Sequence, residues 1–254
     1  MTSESRVQNL EAIHNFRDYG GYRGQGGGQL RRGLLWRSAQ HHDASTADLR
    51  VVDSLQLDAV IDLRGDSERA AHPCKRGPGF SAHVLFAEGE TAGTTTAPHL
   101  AAADGVISGE QGAAALRHAY QAMPWQPNLV AAFQLYFKAL EVGAPTLVHC
   151  FAGKDRTGVI VALFHHLMGV HPDDILADYM LTNQTSMLEE RIASGAKHIR
   201  SRYGNGITDD GIRALMMVQP DYLATAIGGI LAQHSSIEAY AQDVLGIDAT
   251  RLAA

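Results

Sequence analysis

The stretch that most constrains the fold of this chain runs from residue 144 to residue 170. Its first part, APTLVHC at 144–150, is a short apolar run after a proline, which indicates a buried β-strand. Its last part, TGVIVALFHHLMGV at 157–170, has the length of a helix and is apolar on nearly every side. A helix of that kind must be covered all round, so this strand and helix are predicted to lie at the centre of an α/β fold.

Other segments extend the alternation of strands and helices along the chain. The sequence predicts two short strands within 15–38, a buried strand at 57–64 and a further strand at 81–87. A helix is expected to begin at Ser45 or Thr46, where a capping hydroxyl precedes apolar residues with helical spacing. Strands that alternate with helices predict a three-layer α/β arrangement, with a mostly parallel central sheet flanked by helices.

One segment departs from this pattern. Residues 88–112 are small, polar and rich in alanine, with little to bury. Because long segments of this kind often serve as lids, we expect an insertion around 88–125 that closes over a site as a mobile lid. The length of 254 residues otherwise suits a single domain that spans 1–254.

Composition and charge exclude several classes of protein. The net charge of −6 and the lack of a basic stripe argue against a nucleic-acid partner. The two cysteines, Cys74 and Cys150, are too few for a disulfide framework, and the N-terminus lacks the apolar core of a signal peptide. No apolar run reaches membrane-spanning length, so no membrane span is expected. These features predict a cytoplasmic protein, or one secreted without a cleaved signal peptide.

The loop between the central strand and helix, within HCFAGKDRTG at 149–158, carries residues suited to binding phosphate. Successive backbone N–H groups between a strand and a helix N-terminus form a concavity that attracts anions. Gly153 allows the loop to turn, and the planar guanidinium of Arg156 can bind two phosphate oxygens. The predicted phosphate-binding residues are Phe151, Ala152, Gly153, Lys154, Asp155, Arg156 and Thr157.

The same positive field acts on Cys150. A helix N-terminus and neighbouring cations stabilise a thiolate relative to a thiol, and a thiolate is a strong nucleophile toward a phosphorus atom held by the loop. Thr157, next to Arg156, could donate a hydrogen bond to the sulfur. A buried cysteine with a purely structural role is the alternative, but such a cysteine needs neither the glycine nor the cations.

Two histidine pairs, His41–His42 and His165–His166, suggest a metal at first sight. Neighbouring residues on a helix diverge by about 100°, so neither pair can easily bind one ion. No other set of residues has the spacing of a zinc site. The sequence therefore predicts no metal site.

The pattern Cys-x5-Arg after a strand, preceded by His149 and followed by Thr-Gly, resembles the cysteine-dependent protein tyrosine phosphatase superfamily. The fuller form HCFAGKDRTG is similar to its bacterial atypical branch, which includes mycobacterial enzymes and shares features with phosphoinositide phosphatases. Further similarity to that branch lies in NFRDYGGY at 15–22, LLWRSA at 34–39, VIDLRGDSERA at 60–70, VQPDYLATAI at 218–227 and AYAQDVLGI at 239–247. The resemblance implies a tyrosine-phosphatase-like fold.

The resemblance also implies a two-step hydrolysis of a phosphomonoester without a cofactor. Cys150 would form a cysteinyl-phosphate, Arg156 and the loop amides would stabilise the transition state, and water would release phosphate. The branch assigns the general acid to the position of Asp155, and no aspartate lies between Asp104 and Cys150 to act from a separate loop. Asp62, at the end of a predicted strand, is the second candidate, and we expect it to line the site and orient Arg156 or a water.

Lys154 departs from typical tyrosine phosphatase loops and resembles the loops of phosphoinositide phosphatases. The expected substrates are phosphotyrosine in proteins first, then phosphoserine, phosphothreonine and phosphoinositides. Three alternatives stay open: phosphoinositide hydrolysis as the main activity, a phosphate-binding module without catalysis, and a sulfur-transfer or arsenate-reducing enzyme with a similar loop. The presence of both Cys150 and Arg156 argues against the module, and the loop length and the position of the cysteine argue against the last.

Overall fold

The computed structural model describes residues 6–92, 107–184, 188–203 and 206–252. The described strands are β1 Arg17–Asp18, β2 Leu35–Ser38, β3 Ala59–Asp62, β4 His83–Leu85 and β5 Thr146–His149. They form one sheet in the order β1-β2-β5-β3-β4. β1 is antiparallel to β2 and all other neighbours are parallel, which confirms the predicted mostly parallel sheet.

Helices make up most of the rest of the described chain. They are α1 Thr46–Ser54, α2 Asp66–Ala71, α3 Gly109–Ala122, α4 Pro127–Leu140, α5 Asp155–Leu167, α6 Pro172–Met180, α7 Leu188–Tyr203, α8 Asp209–Met216, α9 Pro220–Leu231, α10 Ile237–Asp243 and α11 Ala249–Leu252. Local sequence explains where several of them begin. In α1, for example, the Ser45 side chain accepts from the backbone N–H of Asp48 and the Asp48 side chain bonds back to the Ser45 N–H, which is a capping box.

Successive residues on the strands point to opposite faces of the sheet, as the two-residue period of a strand requires. Leu35 and Ile61 pack in the larger apolar core with side chains of α4, α5, α9 and α10. Their neighbours Trp36 and Val60 pack in a smaller core with Val52 of α1. Both faces of the sheet are therefore covered, which confirms the predicted three-layer arrangement.

α5 lies at the centre of the larger core. It contacts α6, α9 and α10, and nearly all of its residues are buried, as expected for a helix that is apolar on every side. The sequence predicts a start at residue 157, whereas the helix begins at Asp155. Asp155 and Arg156 therefore belong to the first helical turn, and the regular backbone of the helix sets the direction of their side chains.

The predicted insertion at 88–125 lies only partly within the described residues, because 93–106 fall outside them. Its remainder includes α3, which packs against α8 and α9 and buries Tyr120 completely. The described end of the predicted insertion is therefore part of the packed fold.

Within the described ranges, no single helix is long and apolar enough to cross a membrane. In the described part of the chain, α8 and α9 taken together reach that length and composition, and they are bent by 52° relative to each other.

Candidate active site

The loop between β5 and α5 borders a cavity of about 230 Å³. β5 ends at His149, Cys150 follows it, and α5 begins at Asp155, so the strand, loop and helix stand in the order that the sequence predicts. The residues that line the cavity are Glu68, Cys150, Phe151, Ala152, Lys154, Asp155, Arg156, Leu215 and Met216.

Most of the predicted phosphate-binding residues line this cavity, but Gly153 and Thr157 do not. Thr157 is fully buried, and its hydroxyl has no hydrogen-bond partner among the described residues. The expected hydrogen bond from Thr157 to the Cys150 sulfur is therefore not formed in this arrangement of the described chain.

Gly153 holds the loop against the neighbouring strand. Its φ of +63° lies in the left-handed region that residues with a Cβ rarely adopt. A Cβ built on Gly153 would lie 2.2 Å from the carbonyl oxygen of Ser38, the last residue of β2. Only a glycine lets the loop pass this close to β2 in this conformation.

We expect Gly153→Ala to lower kcat/KM about 10²-fold and the free energy of unfolding by about 1–3 kcal/mol, because the loop must move away from β2 and leave its conformation. The phosphomonoester hydrolysis that the resemblance implies, followed with p-nitrophenyl phosphate, and urea unfolding measure the two effects. Gly143→Ala is the matched control, since Gly143 has a φ of +68° but nothing within 4 Å of its built Cβ. Equal effects of the two substitutions would contradict the role of the close approach.

Two side chains from other parts of the chain hold the same loop through its backbone. The carbonyl oxygen of Gly153 accepts hydrogen bonds from Asn15 Nδ2 at 2.6 Å and from Arg37 Nη2 at 3.1 Å. Arg37 is fully buried and also pairs with Asp178 of α6, with 3.0 Å between Nη1 and Oδ2. The segments NFRDYGGY and LLWRSA thus supply supports for the loop.

Cys150 and Phe151, which are adjacent in the loop, differ in solvent exposure. Cys150 is 2% exposed, whereas Phe151 is 41% exposed. The Phe151 ring meets the ring of His72 edge-on, with 5.2 Å between the ring centroids. The cavity therefore combines a recessed thiol with an exposed aromatic ring.

Arg156 is held by a carboxylate that the sequence analysis does not identify. Glu68, in the first turn of α2, accepts from Arg156 Nη1 at 2.5 Å and from Nη2 at 2.8 Å, and Thr91 Oγ1 accepts from Nη1 at 3.0 Å. Burial would raise the pKa of the Glu68 carboxyl, but the hydrogen bonds and charge of Arg156 outweigh it and hold the pKa below its usual value. Glu68 therefore stays ionised and fixes the direction of the guanidinium.

Asp62 is expected from the sequence to line the site and orient Arg156 or a water, but it neither lines the cavity nor bonds to Arg156, which pairs with Glu68. The Asp62 carboxylate accepts from Arg64 Nε at 2.9 Å and Nη2 at 2.7 Å. The register explains this, because Asp62 pairs with His149, one residue before Cys150, and successive residues face opposite sides of a sheet. Burial would raise the pKa of Asp62, but His149 and Arg64 lower it to about 2, which does not suit a proton donor.

Asp62, His149 and Cys74 bring an oxygen, a nitrogen and a sulfur atom within 4.8 Å of one another. The guanidinium of Arg64 bridges two of these groups, with Nη2 2.7 Å from Asp62 Oδ2 and 3.2 Å from Cys74 Sγ. A positive charge thus already occupies the position between the carboxylate and the sulfur. These residues therefore form an ion-pair cluster with Arg64 near the end of β5, and not a site for a metal cation.

Lys154 lines the cavity, but its ammonium group bonds to another helix. Nζ donates to the carbonyl oxygen of Leu215 at 2.5 Å and to that of Met217 at 3.2 Å, at the end of α8. It also lies 3.3 Å from Asp155 Oδ1. Lys154 therefore joins the loop to the part of α8 that forms one wall of the cavity.

Asp155 lies in the first turn of α5 and lines the cavity between Lys154 and Arg156. Its Oδ1 accepts a hydrogen bond from the hydroxyl of Tyr120 at 2.8 Å. The structure thus brings together a thiol, a carboxyl group and a guanidinium around one cavity, which is the set of groups needed for nucleophilic attack, proton transfer and binding of phosphate oxygens.

A comparison with protein families decides where this arrangement belongs. A family model described as "Tyrosine phosphatase family" matches residues 8–254, which is nearly the whole chain. The chain belongs to the tyrosine phosphatase family. This confirms the resemblance seen in the HCFAGKDRTG motif, and it establishes the chain as a phosphatase.

Two relatives show how far the similarity of this tyrosine phosphatase extends. A protein of Cupriavidus necator, whose name gives it as an inferred tyrosine-protein phosphatase, is 33% identical over 246 residues, covering 96% of this chain and 85% of the relative. The triple specificity protein phosphatase PtpB of Mycobacterium tuberculosis is 29% identical over 268 residues, covering 93% of each chain. Both relatives are bacterial, as the sequence resemblance implies.

The sequence analysis misses the residues of this tyrosine phosphatase that lie far from the loop along the chain but bond directly to the loop or to the first turn of α5. Asn15, Arg37 and Glu68 lie inside segments that resemble the family, but no feature of those segments says which side chain meets the loop. Tyr120 lies in a region without such resemblance. A buried arginine that needs a carboxylate partner is the signal that points toward Glu68, and the first turn of α2 offers two candidates for it, Asp66 and Glu68.

Proposed function

We propose that this tyrosine phosphatase hydrolyses phosphomonoesters, mainly phosphotyrosine in proteins, through a cysteinyl-phosphate formed on Cys150. One observation carries the proposal: Cys150, Asp155 and Arg156 line the same cavity, between the end of β5 and the start of α5. The nucleophile, the proton donor and the cation that binds phosphate oxygens would all reach a single phosphoryl group there.

The first step transfers the phosphoryl group to the enzyme. The Cys150 thiolate attacks phosphorus, an S–P bond forms, and the bond from phosphorus to the leaving oxygen breaks. The carboxyl of Asp155 gives its proton to that oxygen, so the alcohol or phenol leaves neutral. Arg156 and the backbone N–H groups of the loop stabilise the charge on the phosphoryl oxygens.

The second step regenerates the enzyme. A water molecule gives a proton to the Asp155 carboxylate as its oxygen attacks phosphorus. The S–P bond breaks, inorganic phosphate leaves and Cys150 returns to the thiolate. Each proton taken up by Asp155 thus replaces the one that it donated in the first step.

Phosphotyrosine is placed first because of the aromatic side chain beside the cavity. Phe151 is 41% exposed, and its ring packs edge-on against His72. A phosphotyrosine ring entering the cavity could pack against this face, and an aromatic pair contributes about 0.5–1.5 kcal/mol beyond the burial of area.

The decisive experiment is rapid-quench mass spectrometry of the full chain during turnover of a phosphotyrosine peptide. We expect one phosphoryl group on the peptide that contains Cys150, released by water within one turnover. Turnover with no covalent phosphate, or with phosphate on another residue, would overturn the assignment of the intermediate.

Phosphoinositides are a second class of substrate, supported by Lys154 in the wall of the cavity. To bind an additional phosphate, the Lys154 ammonium group would exchange its bonds to the Leu215 and Met217 carbonyl oxygens for that phosphate, and the mycobacterial relative is named as a triple specificity phosphatase. We expect Lys154→Gln to lower kcat/KM about 10-fold for a soluble phosphoinositide and less than about 3-fold for a phosphotyrosine peptide. Lys138→Gln, a change on α4, is the control, and an equal loss on both substrates would remove the argument for Lys154.

A further inference from the structure

Two buried tyrosines connect the core to the general acid. The Tyr120 hydroxyl lies 2.8 Å from Asp155 Oδ1 and 2.7 Å from the hydroxyl of Tyr179. Tyr120 comes from α3 and Tyr179 from α6, and their side chains are buried to 0% and 1% exposure. Three helices therefore meet at the Asp155 carboxyl.

The direction of the hydrogen bonds follows from a count of protons. Burial raises the pKa of the Tyr120 and Tyr179 hydroxyls, so both remain protonated. A hydroxyl has one hydrogen to donate. Because Tyr120 donates its hydrogen to Asp155, Tyr179 donates to Tyr120.

The two oxygens of Asp155 are left in different surroundings. Oδ1 accepts from Tyr120 and lies 3.3 Å from the ammonium group of Lys154. Among the described residues, the hydrogen bond that the Asp155 carboxyl accepts is made at Oδ1 and none is seen at Oδ2. Donors that crowd Oδ1 disfavour a proton on that oxygen, so the proton of the acid belongs on Oδ2.

We propose that Tyr120, supported by Tyr179, is a positioning residue that holds Asp155 through Oδ1, so that Oδ2 carries the proton given to the leaving oxygen. This inference rests on the proposed function and adds a group from outside the catalytic loop to it. When Oδ2–H breaks and the leaving oxygen gains the proton, Asp155 becomes a carboxylate. Tyr120 then donates to a charged acceptor, which makes a stronger hydrogen bond than a neutral one.

The leaving group provides a test that a merely structural role would not affect. Phenol is a poor leaving group that needs a proton, whereas p-nitrophenolate leaves readily without one. We expect Tyr120→Phe to lower kcat/KM for phenyl phosphate about 30-fold and kcat/KM for p-nitrophenyl phosphate about 3-fold, because a hydrogen bond to a charged group is lost. kcat/KM is the quantity to compare, since it reports the step in which the leaving oxygen takes the proton and excludes the hydrolysis step that both substrates share. A uniform loss on the two substrates would overturn the proposal.

Tyr136→Phe is the matched control. Tyr136 is also fully buried, and its hydroxyl also bonds to a second tyrosine, Tyr19, at 2.8 Å, but that pair lies apart from Asp155, to which Tyr120 donates. We expect this variant to affect the two substrates equally. A leaving-group dependence as large as that of Tyr120→Phe would mean that loss of any buried hydroxyl produces the effect, and it would overturn the proposal.

Asp155→Asn separates this inference from the proposed function. If Asp155→Asn shows a strong dependence on the leaving group and Tyr120→Phe does not, the positioning role fails and the proposed function stands. If Asp155→Asn shows no such dependence, the general acid has been assigned wrongly. In the double variant, the second substitution should have almost no further effect on phenyl phosphate, because both act on one proton transfer.

Tyr179→Phe keeps the proposal testable if Tyr120→Phe does not fold. It removes the donor to Tyr120 and leaves the hydrogen bond to Asp155 in place. We expect a loss of about 3-fold that is confined to phenyl phosphate. No difference between the substrates in this variant would overturn the supporting role of Tyr179 and, with Tyr120→Phe unfolded, the proposal as a whole.

Discussion

Replacing Cys150 with serine is expected to lower kcat at least about 10⁴-fold, while inorganic phosphate and vanadate still bind. A serine hydroxyl does not ionise near neutral pH, so the variant lacks a nucleophile, and removal of a nucleophile typically has an effect of this size. The backbone N–H groups of the loop and the guanidinium of Arg156 are unchanged, so the site for the anion remains. Turnover of p-nitrophenyl phosphate and isothermal titration with phosphate measure the two properties.

Cys74→Ser is the matched control for this experiment. Cys74 is the other free cysteine, and its sulfur accepts from the backbone N–H of His41 at 3.3 Å and from Arg64 rather than facing the cavity. We expect it to keep kcat within about 3-fold. Activity that survives Cys150→Ser, or an equal loss in both variants, would contradict the assignment of the nucleophile.

Replacing Arg156 with lysine is expected to lower kcat/KM about 10³-fold, although the charge is kept. Lysine cannot offer two parallel N–H donors, and it cannot reproduce the paired bonds to Glu68 that direct the guanidinium. Kinetics with p-nitrophenyl phosphate measure the loss. A loss below about 10-fold would mean that a simple positive charge is enough and that the fork geometry plays no part.

Glu68→Gln tests whether the structure explains how Arg156 is directed. The amide keeps one acceptor but loses the charge, so we expect about a 10-fold lower kcat/KM in the otherwise normal chain. With lysine at position 156, the same substitution should have almost no further effect, because the bond that it weakens is already absent. Additive losses would show that Glu68 acts on something other than Arg156.

The residues that sequence alone could place are those fixed by local pattern. β5, α5 and the loop between them follow from apolar runs, a glycine and the short distance along the chain between Cys150 and Arg156. The side chains around the loop could not be placed in this way. Asp62 stands at the end of a strand next to β5, but its register partner is His149, so it faces the side of the sheet opposite to Cys150.

Glu68 and Tyr120 show a second limit. Glu68 reaches Arg156 because α2 turns back after β3, and Tyr120 reaches Asp155 because α3 packs against α8 and α9. Neither contact follows from periodicity or from spacing along the chain, since each depends on the angle between packed elements. Polar partners of a catalytic group that come from distant segments are therefore the part of a site that sequence patterns define least.

The support of Gly153 by Asn15 and Arg37 has a consequence for how the enzyme binds anions. A loop anchored through its own carbonyl to side chains from two other segments takes its binding shape while the protein folds. The loss of conformational entropy that comes with ordering it is then complete before any ligand arrives, and binding energy remains for the transition state. The loop is preorganised, and its shape depends on two side chains that do not line the cavity.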